Sequence, residues 1–538
     1  MSNLVETGEG TRLDALEILP ARSSEKLTIV ASSFGALLEW YDLYIYAALT
    51  ATFAQLFFPP GNEVAATLAS LAIFGAAFIL RPIGALVFGY FGDRYGRKLT
   101  FVATIWIMGV ATIGIGLLPT YSQVGLLAPV LLVAFRLAQG LALGGEVGGA
   151  ATYVTENAAP GRRGFATSWL QTTATIGLLL SIVVVTVVRL SMDNESFNEW
   201  GWRIPFLVSG ILLAISLYLR RRLSESPVFE RMKSRGKVSE RPVTESLSNG
   251  RNVRSMLILL FSVASGVGIL YGVGHFYSAY FLANTLKVEP TMTNILMSCA
   301  LVLATPFYVL FGWLSDRVGR KWIMVPACLI AAVTIQPVFK ALTHYANPAL
   351  ERFQNDNAVV VEGGDCSFRL FSPPQSPCDK TRNFLNGLGV AYTFREVAQG
   401  SPARVEVAGT QIHGFDPAAF KTALTQAGWP EAAEPSQVNR PMVVLLLLYL
   451  VLLLTMVYGP IVAFMVELFP ANLRYTSLSL PYHIGSGWFG GMLPFVLTSI
   501  NASYGSIYAG LWYPTIVLLI SFAVGTLFIR ETRKNSID

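Results

Sequence analysis

Runs of roughly 20 apolar residues recur about twelve times along this chain, the helix length that ~30 Å of hydrocarbon demands. Their spacing predicts membrane helices near 27–49, 66–91, 98–118, 127–153, 164–189, 203–220, 254–284, 289–314, 321–343, 441–466, 474–499 and 506–530. Only 13% of residues are charged, about half the ~25% usual in soluble domains, while 53% are hydrophobic. An all-α polytopic membrane protein is the expectation.

A charged decamer appears twice between apolar runs, as Gly89-x-x-Gly-Asp93-Arg94-Tyr-Gly96-Arg97-Lys98 and Gly312-x-x-Ser-Asp316-Arg317-Val-Gly319-Arg320-Lys321. Asp93 to Asp316 and Lys98 to Lys321 share one spacing, 223 residues, which predicts two homologous halves. A second repeated pair, Glu156 with Arg163 and Glu467 with Arg474, is offset by 311 residues. The difference, 88 residues, places an insert in the polar stretch 344–440. Its pattern predicts a small α+β unit: a helix near Asp379 to Leu388, strands near Val390 to Val397 and Ala403 to Val407, and a helix from Asp416 to Ala427. Cys366 and Cys378 in that insert are expected to form a disulfide if it faces an oxidising compartment, free thiols being the alternative. Cys299 and Cys328 fall in apolar runs, and no metal site is expected.

Lys and Arg hold short loops on the cytoplasmic side. With the N-terminus inside, Arg94, Arg97, Lys98, Arg162, Arg163, Arg317, Arg320, Lys321 and Arg474 are cytoplasmic, whereas the outer loops 50–65 and 119–126 carry no Lys or Arg. The net charge of +6 thus expresses topology and calls for no nucleic-acid partner. The expected order is a cytoplasmic tail (1–26), a six-helix bundle (27–220), a cytoplasmic linker (221–253), three helices (254–343), the outward insert (344–440), three helices (441–530) and a cytoplasmic tail (531–538). No removable signal peptide is evident in the first 26 residues.

Ionisable groups within a bilayer are costly and normally face a cavity or a partner. Glu39, Asp42, Arg81, Arg136 and Glu146 all lie in the first half; the repeat offsets put Ala304 and Leu447 opposite Arg81 and Arg136. Glu39 and Asp42, three apart, share a helix face, where a close carboxylate pair suits a reversible proton carrier. Arg136 is their natural partner; a permanent ion pair near the outer interface, beside Trp40, Tyr41 and Tyr44 as belt residues, is the alternative. Arg81 lies ~15 Å from its helix end, suited either to a substrate carboxylate or to a lock with Glu146. Glu146, among Gly144, Gly145, Gly148 and Gly149, either carries a proton or satisfies Arg81.

Tyr271, His275, Tyr277, Tyr280, Tyr458, Tyr482 and His483 could line a polar cavity or serve as packing, and Tyr271, Tyr277, Tyr458 and Tyr482 are taken as substrate-binding candidates. Gly272, Gly459, Pro460, Pro481, Gly485 and Gly487 mark helices that can bend. In the repeated loops, Asp93 and Asp316 are expected to begin helices, while Arg94, Arg97, Arg317 and Arg320 pair with Glu156, Glu467 or Glu225 in one access state. Gly89, Gly96, Gly319, Arg163 and Arg474 complete this set of expected conformational locks.

The twin loops, Arg136-Leu-Ala-Gln-Gly140 and Glu225-Ser-Pro227 resemble the major facilitator superfamily. Within it, Glu39-Trp-Tyr-Asp42, Leu80-Arg81-Pro82-Ile-Gly84, Gly144-Gly-Glu146-x-Gly-Gly149 and Glu467-Leu-Phe-Pro-x-x-x-Arg474-Tyr-Thr-Ser are similar to the metabolite:proton symporter family. The resemblance implies two six-helix bundles around a central cavity that alternates between outward and inward access. It also implies proton coupling through Asp42 and Arg136, locks that hold the outward-open state, and a monomeric unit in a bacterial cytoplasmic membrane. The insert departs from the family plan.

No phosphate-binding Gly-x-x-x-x-Gly-Lys-Ser/Thr loop occurs, and Cys366, Cys378 and His413 assemble no nucleophile or metal motif, so neither an ATP-driven engine nor an enzyme is expected. The reading is a cofactor-free symporter driven by the proton gradient, carrying an organic anion such as a mono-, di- or tricarboxylate or shikimate-like acid. A zwitterionic solute such as proline or betaine is the alternative, and a transporter-like sensor using the insert a more distant one.

Overall fold

The computed structural model describes residues 25–58, 63–366, 376–398 and 403–537. Nine helices among the described residues are long and apolar enough to cross a membrane, from Arg97–Gly116 to Ala509–Phe528. The three other expected spans are helical too. They are Glu25–Ala48, Glu63–Arg94 and an eleventh helix divided into Arg474–His483, a π-helical stretch Ile484–Gly491, and Leu493–Tyr504.

Each half packs around its fourth or tenth helix. The first helix lies against the fifth (Arg163–Leu190) and sixth (Ile204–Arg221), and the second and third against the fourth (Leu127–Asn157). The eighth (Pro290–Val318) and ninth (Lys321–Ala346) lie against the tenth (Arg440–Leu468). The halves meet along two seams, second helix on eleventh and fifth on eighth. Glycine makes the tightest approach possible: a Cβ on Gly140 or Gly144 would strike the backbone of Ala77 or Arg81 on the second helix.

The seventh helix, Gly250–Thr285, has three π-helical turns, Leu260–Ala264, Gly272–Tyr277 and Phe281–Thr285. Such turns widen a helix and leave it deformable. Gly272 opens the second of them, and Gly485 and Gly487 lie within the stretch of the eleventh helix that packs against it, as the glycine pattern suggests.

The insert folds as expected but contains two further strands. Four strands, β1 (Val359–Gly363), β2 (Thr393–Glu396), β3 (Arg404–Val407) and β4 (Thr410–His413), form a sheet in the order β2-β1-β3-β4. β1 is parallel to β2, with the helix Pro377–Gly387 crossing between them, and antiparallel to β3. Asp416 caps the helix Pro417–Gln426 by accepting the amides of Ala418 and Ala419 at 3.0 Å. β1 escapes a sequence reading because its Val-Val-Val run abuts a helix without alternation, and β4 because it is a polar edge. Val361, Val405 and Phe420 bury into one apolar cluster with Phe281, Leu286 and Phe339 of the second bundle. Arg382 donates to the Ser503 carbonyl at 2.6 Å, and the Tyr392 amide to that of Gly505 at 2.7 Å. The insert is an extension of the second half's core, not a bead on a string.

Candidate functional site

A central cavity lies between the halves, walled by Glu39, Arg81, Glu146 and Gln171 from the first and by Tyr271, Tyr458 and Tyr482 from the second. Three buried acids and three buried bases of the first half set its charge. Asp42 pairs with Arg136 at 3.3 Å, both almost fully buried. Arg136 also donates to Gln139 at 2.7 Å and stacks on the Tyr46 ring at 3.6 Å, and Gln139 donates to Thr112 at 2.9 Å. Glu146 pairs with Arg220 and accepts the Thr104 hydroxyl at 2.8 Å. The alternative of a lock between Arg81 and Glu146 is therefore not formed: Arg220 reaches Glu146 from the last turn of the sixth helix. Glu39 and Arg81 are left over. Among the described residues neither has an ion pair or hydrogen bond, and the Arg81 guanidinium lies 4.2 Å over the Phe78 ring.

The aromatic expectations divide. Tyr271, Tyr458 and Tyr482 are at the cavity wall, with the Tyr458 and Tyr482 hydroxyls 3.3 Å apart and His275 stacked on Tyr271 at 4.2 Å. Tyr277 is not: it is fully buried against Phe339 and accepts from Asn501 at 3.1 Å, so it is packing. Trp40, Tyr41 and Tyr44 are not belt residues. Trp40 stacks on Tyr271 at 5.3 Å, the Tyr44 and Tyr271 hydroxyls are 2.9 Å apart, and the Tyr41 hydroxyl donates to the Pro205 carbonyl. The ion pair of Asp42 and Arg136 consequently lies in the protein interior.

The twin loops join the halves with matching bonds. Asp93 and Asp316 do not begin helices; each lies at the end of one and caps a helix of the opposite half. Asp93 accepts the amides of Tyr475 and Thr476 at 3.1 and 2.9 Å, and Asp316 those of Gly164 and Phe165 at 2.9 and 2.8 Å. The helix dipole still favours the carboxylate, but the dipole belongs to the other half. Arg97 bonds Asp93 at 2.7 Å and approaches Glu156 at 3.8 Å; Arg320 bonds Asp316 at 2.8 Å and Glu467 at 3.1 Å. Glu156 then meets Arg474 at 2.8 Å, and Glu467 meets Arg163 at 3.5 Å, both across the seam.

The glycines of the motif have separate reasons. Gly89 and Gly312 lie where a Cβ would strike Thr476 or Ser168 of the other half. Gly96 and Gly319 have φ of 129° and 118°, a region that strains other residues, and sit against the carboxylates of Glu225 and Glu531. Glu225 accepts the amides of Arg97 and Lys98, and Glu531 those of Arg320 and Lys321. Burial holds the Glu225 carboxyl above its usual range, against the amides of Ser226 and Lys98. Arg94 and Arg317 form no ion pair among the described residues: Arg94 donates to the Glu240 carbonyl at 2.7 Å, and Arg317 lies 3.9 Å over Trp313. In the insert, Cys366 and Cys378 come together with their Cα atoms 5.3 Å apart, within disulfide reach.

A profile of the sugar (and other) transporter family matches residues 27–256. The inner membrane metabolite transport protein YhjE of Escherichia coli (strain K12) is 39% identical over 62% of this chain and 76% of its own length. The alpha-ketoglutarate permease of the same organism is 35% identical over 60% and 72%, and a putative proline/betaine transporter of Staphylococcus aureus (strain MSSA476) 36% identical over 57% and 65%. The chain belongs to the metabolite:proton symporter family of the major facilitator superfamily. Its fold agrees: a solved major facilitator proton:xylose symporter superposes over 95% of this chain and 97% of that one with a TM-score of 0.64, at 17% identity. It is thus a membrane transporter, built as two six-helix bundles, and not an enzyme; transporters of this superfamily use no cofactor.

Two residues of this transporter were not singled out from sequence. Arg220 stands in an Arg-Arg-Arg run that resembles any cytoplasmic helix end, and Glu531 stands in the C-terminal tail. The signal that could have found Glu531 is the repeat itself, since Glu225 and Glu531 follow corresponding helices, the sixth and twelfth.

Proposed function

We propose that the protein carries a small organic anion into the cell together with protons, Arg81 holding a substrate carboxylate and Glu39 and Asp42 exchanging the coupled protons. The observation that carries this reading is the unequal pairing of buried charge: two acid–base pairs are closed, and among the described residues Arg81 and Glu39 remain without an ion pair or hydrogen bond on the cavity wall. A desolvated guanidinium without an internal partner favours an anionic ligand that forms two parallel bonds with it. Protonation of Glu39 would leave the wall with one positive charge, so that substrate and proton bind together. Asp42 with Arg136 forms a pair that a proton can open.

The seam bonds of Asp93, Asp316, Glu156 and Glu467 act as locks of the closed cytoplasmic side, and the bond between Tyr44 and Tyr271 as a slighter closure on the other side. In this reading both termini are cytoplasmic, the insert faces outward, its two cysteines are joined, and the working unit is a monomer in the inner membrane.

A specific feature supports a second reading. Glu39 shares the cavity with Trp40, Tyr271 and Tyr458, and rings beside a carboxylate suit a cationic group. A zwitterion would then bridge Arg81 and Glu39. Uptake into proteoliposomes, with and without an inward proton gradient, across mono-, di- and tricarboxylates, shikimate-like acids, proline and betaine distinguishes the two. Gradient-driven uptake of an acid supports the first reading, of proline or betaine the second, and uptake indifferent to the gradient refutes both.

A further inference from the structure

Among the described residues, Arg220 is the one buried base of the first half that the transport reading leaves without a task. It lies in the last turn of the sixth helix, fully buried, with its guanidinium 3.3 Å over the Phe101 ring and bonded to the Phe101 carbonyl. Four helices meet at its pair with Glu146: the fourth supplies Glu146, the third Thr104 and Phe101, and the first Gly35, where a Cβ would collide with both the guanidinium and the carboxylate. The site is built around the pair, and Glu146 also faces the cavity. The charged and titratable groups around it are Glu39 of the first helix, within electrostatic reach of Arg81, Glu146, Arg220 and Asp42, and Tyr475 of the eleventh, whose hydroxyl donates to the Gly145 carbonyl at 2.6 Å.

A buried carboxylate on a cavity wall seeks a cation, and a buried guanidinium an anion, because each is expensive alone. Without Arg220, the cation available to Glu146 in that cavity is Arg81. We infer that Arg220 is a positioning residue for substrate charge: by holding Glu146 against the wall it keeps Arg81 free, so that the cavity offers one cationic anchor for one carboxylate. The inference rests on the anion-symport reading and adds to it which charge count the site accepts. It also gives the two charge-removing substitutions opposite effects. Glu146→Gln leaves Arg220 without its counter-charge and makes the cavity more positive, while Arg220→Gln turns Glu146 toward Arg81 and makes it more negative.

The test is counterflow in proteoliposomes, comparing KM for a monocarboxylate and a dicarboxylate of equal carbon number at several pH values. Glu146→Gln is expected to move the preference toward the dicarboxylate by about tenfold, and Arg220→Gln to move it the other way by about tenfold with a smaller change in maximal rate. Glu146→Gln/Arg220→Gln together should return the preference to within about threefold of the parent, and Arg220→Lys should keep it near the parent. A purely structural pair predicts loss of folded protein in both single variants with no change in preference. Shifts of the same sign, or none, in folded Glu146→Gln and Arg220→Gln overturn the inference. Should Arg220→Gln not fold, Glu146→Gln decides alone, an unchanged preference overturning it. If the parent takes up no carboxylate under a proton gradient, the symport reading fails instead.

Discussion

Replacing Asp93 by Asn tests whether the seam bonds set the balance between access states. The carboxylate accepts two amides of the eleventh helix and the Arg97 guanidinium, but only the amide bonds cross between halves. Arg97, four residues along the same chain, stays beside Asp93 in either state, so its bond largely cancels. A bond to a charged group contributes about 1.5–3 kcal/mol, and Asn keeps one amide at reduced strength, so the closed side loses about 2 kcal/mol. That is roughly a 30-fold shift in the ratio of closed to open states. Asp316→Asn removes the matching bonds to Gly164 and Phe165 and should shift the ratio by a similar factor. The sites share no partner, so the double variant should approach the sum, about 4 kcal/mol. Alkylation rate of a single cysteine placed on the seam at the twin-loop end reads the open fraction. Unchanged alkylation in both single variants, with folded protein, would refute the reasoning.

Asp42→Asn should abolish substrate-driven alkalinisation while counterflow persists, since the Arg136 pair is the proposed proton-opened switch; full coupling in that variant would remove the proposal. Gly96→Ala and Gly319→Ala should each cost about 1–3 kcal/mol, seen as a lower thermal midpoint, because both glycines hold positive φ against a carboxylate. Opening the loop between Cys366 and Cys378 with Cys378→Ser should destabilise the insert by at most about 3 kcal/mol, read by limited proteolysis, with transport retained. Removing residues 357–438 should do more, since Val361, Val405 and Phe420 share an apolar cluster with the second bundle; an unaltered melting curve would argue against that shared core.

The helices were legible because bilayer thickness fixes their length, and the twin loops because a repeat needs no alignment to be seen. Asp42 with Arg136 followed from buried-charge reasoning, and the structure brings them together. Direction was harder. That Asp93 caps the opposite half, not its own helix, depends on which end of a helix faces the seam, which spacing along one chain does not encode. Arg81 was the one partner weighed for Glu146 because Arg220 sits in a run of arginines that any cytoplasmic helix end could carry; only packing of the sixth helix on the third and first distinguishes it from its neighbours. Tyr277 and Tyr271 lie on the same helix six residues apart and so on different faces, and only the packing of that helix shows which one meets the cavity and which Phe339.

The central claim is that pairing of Asp42 with Arg136 and of Glu146 with Arg220 leaves Arg81 as the cavity's substrate anchor. Equilibrium binding of a transported acid to purified Arg81→Gln tests it most directly, with Arg81→Lys as the conservative control. The account predicts a loss of about 1.5–3 kcal/mol, a roughly 10- to 150-fold weaker Kd, for Arg81→Gln, with partial recovery in Arg81→Lys. Parent-like binding by folded Arg81→Gln would contradict it.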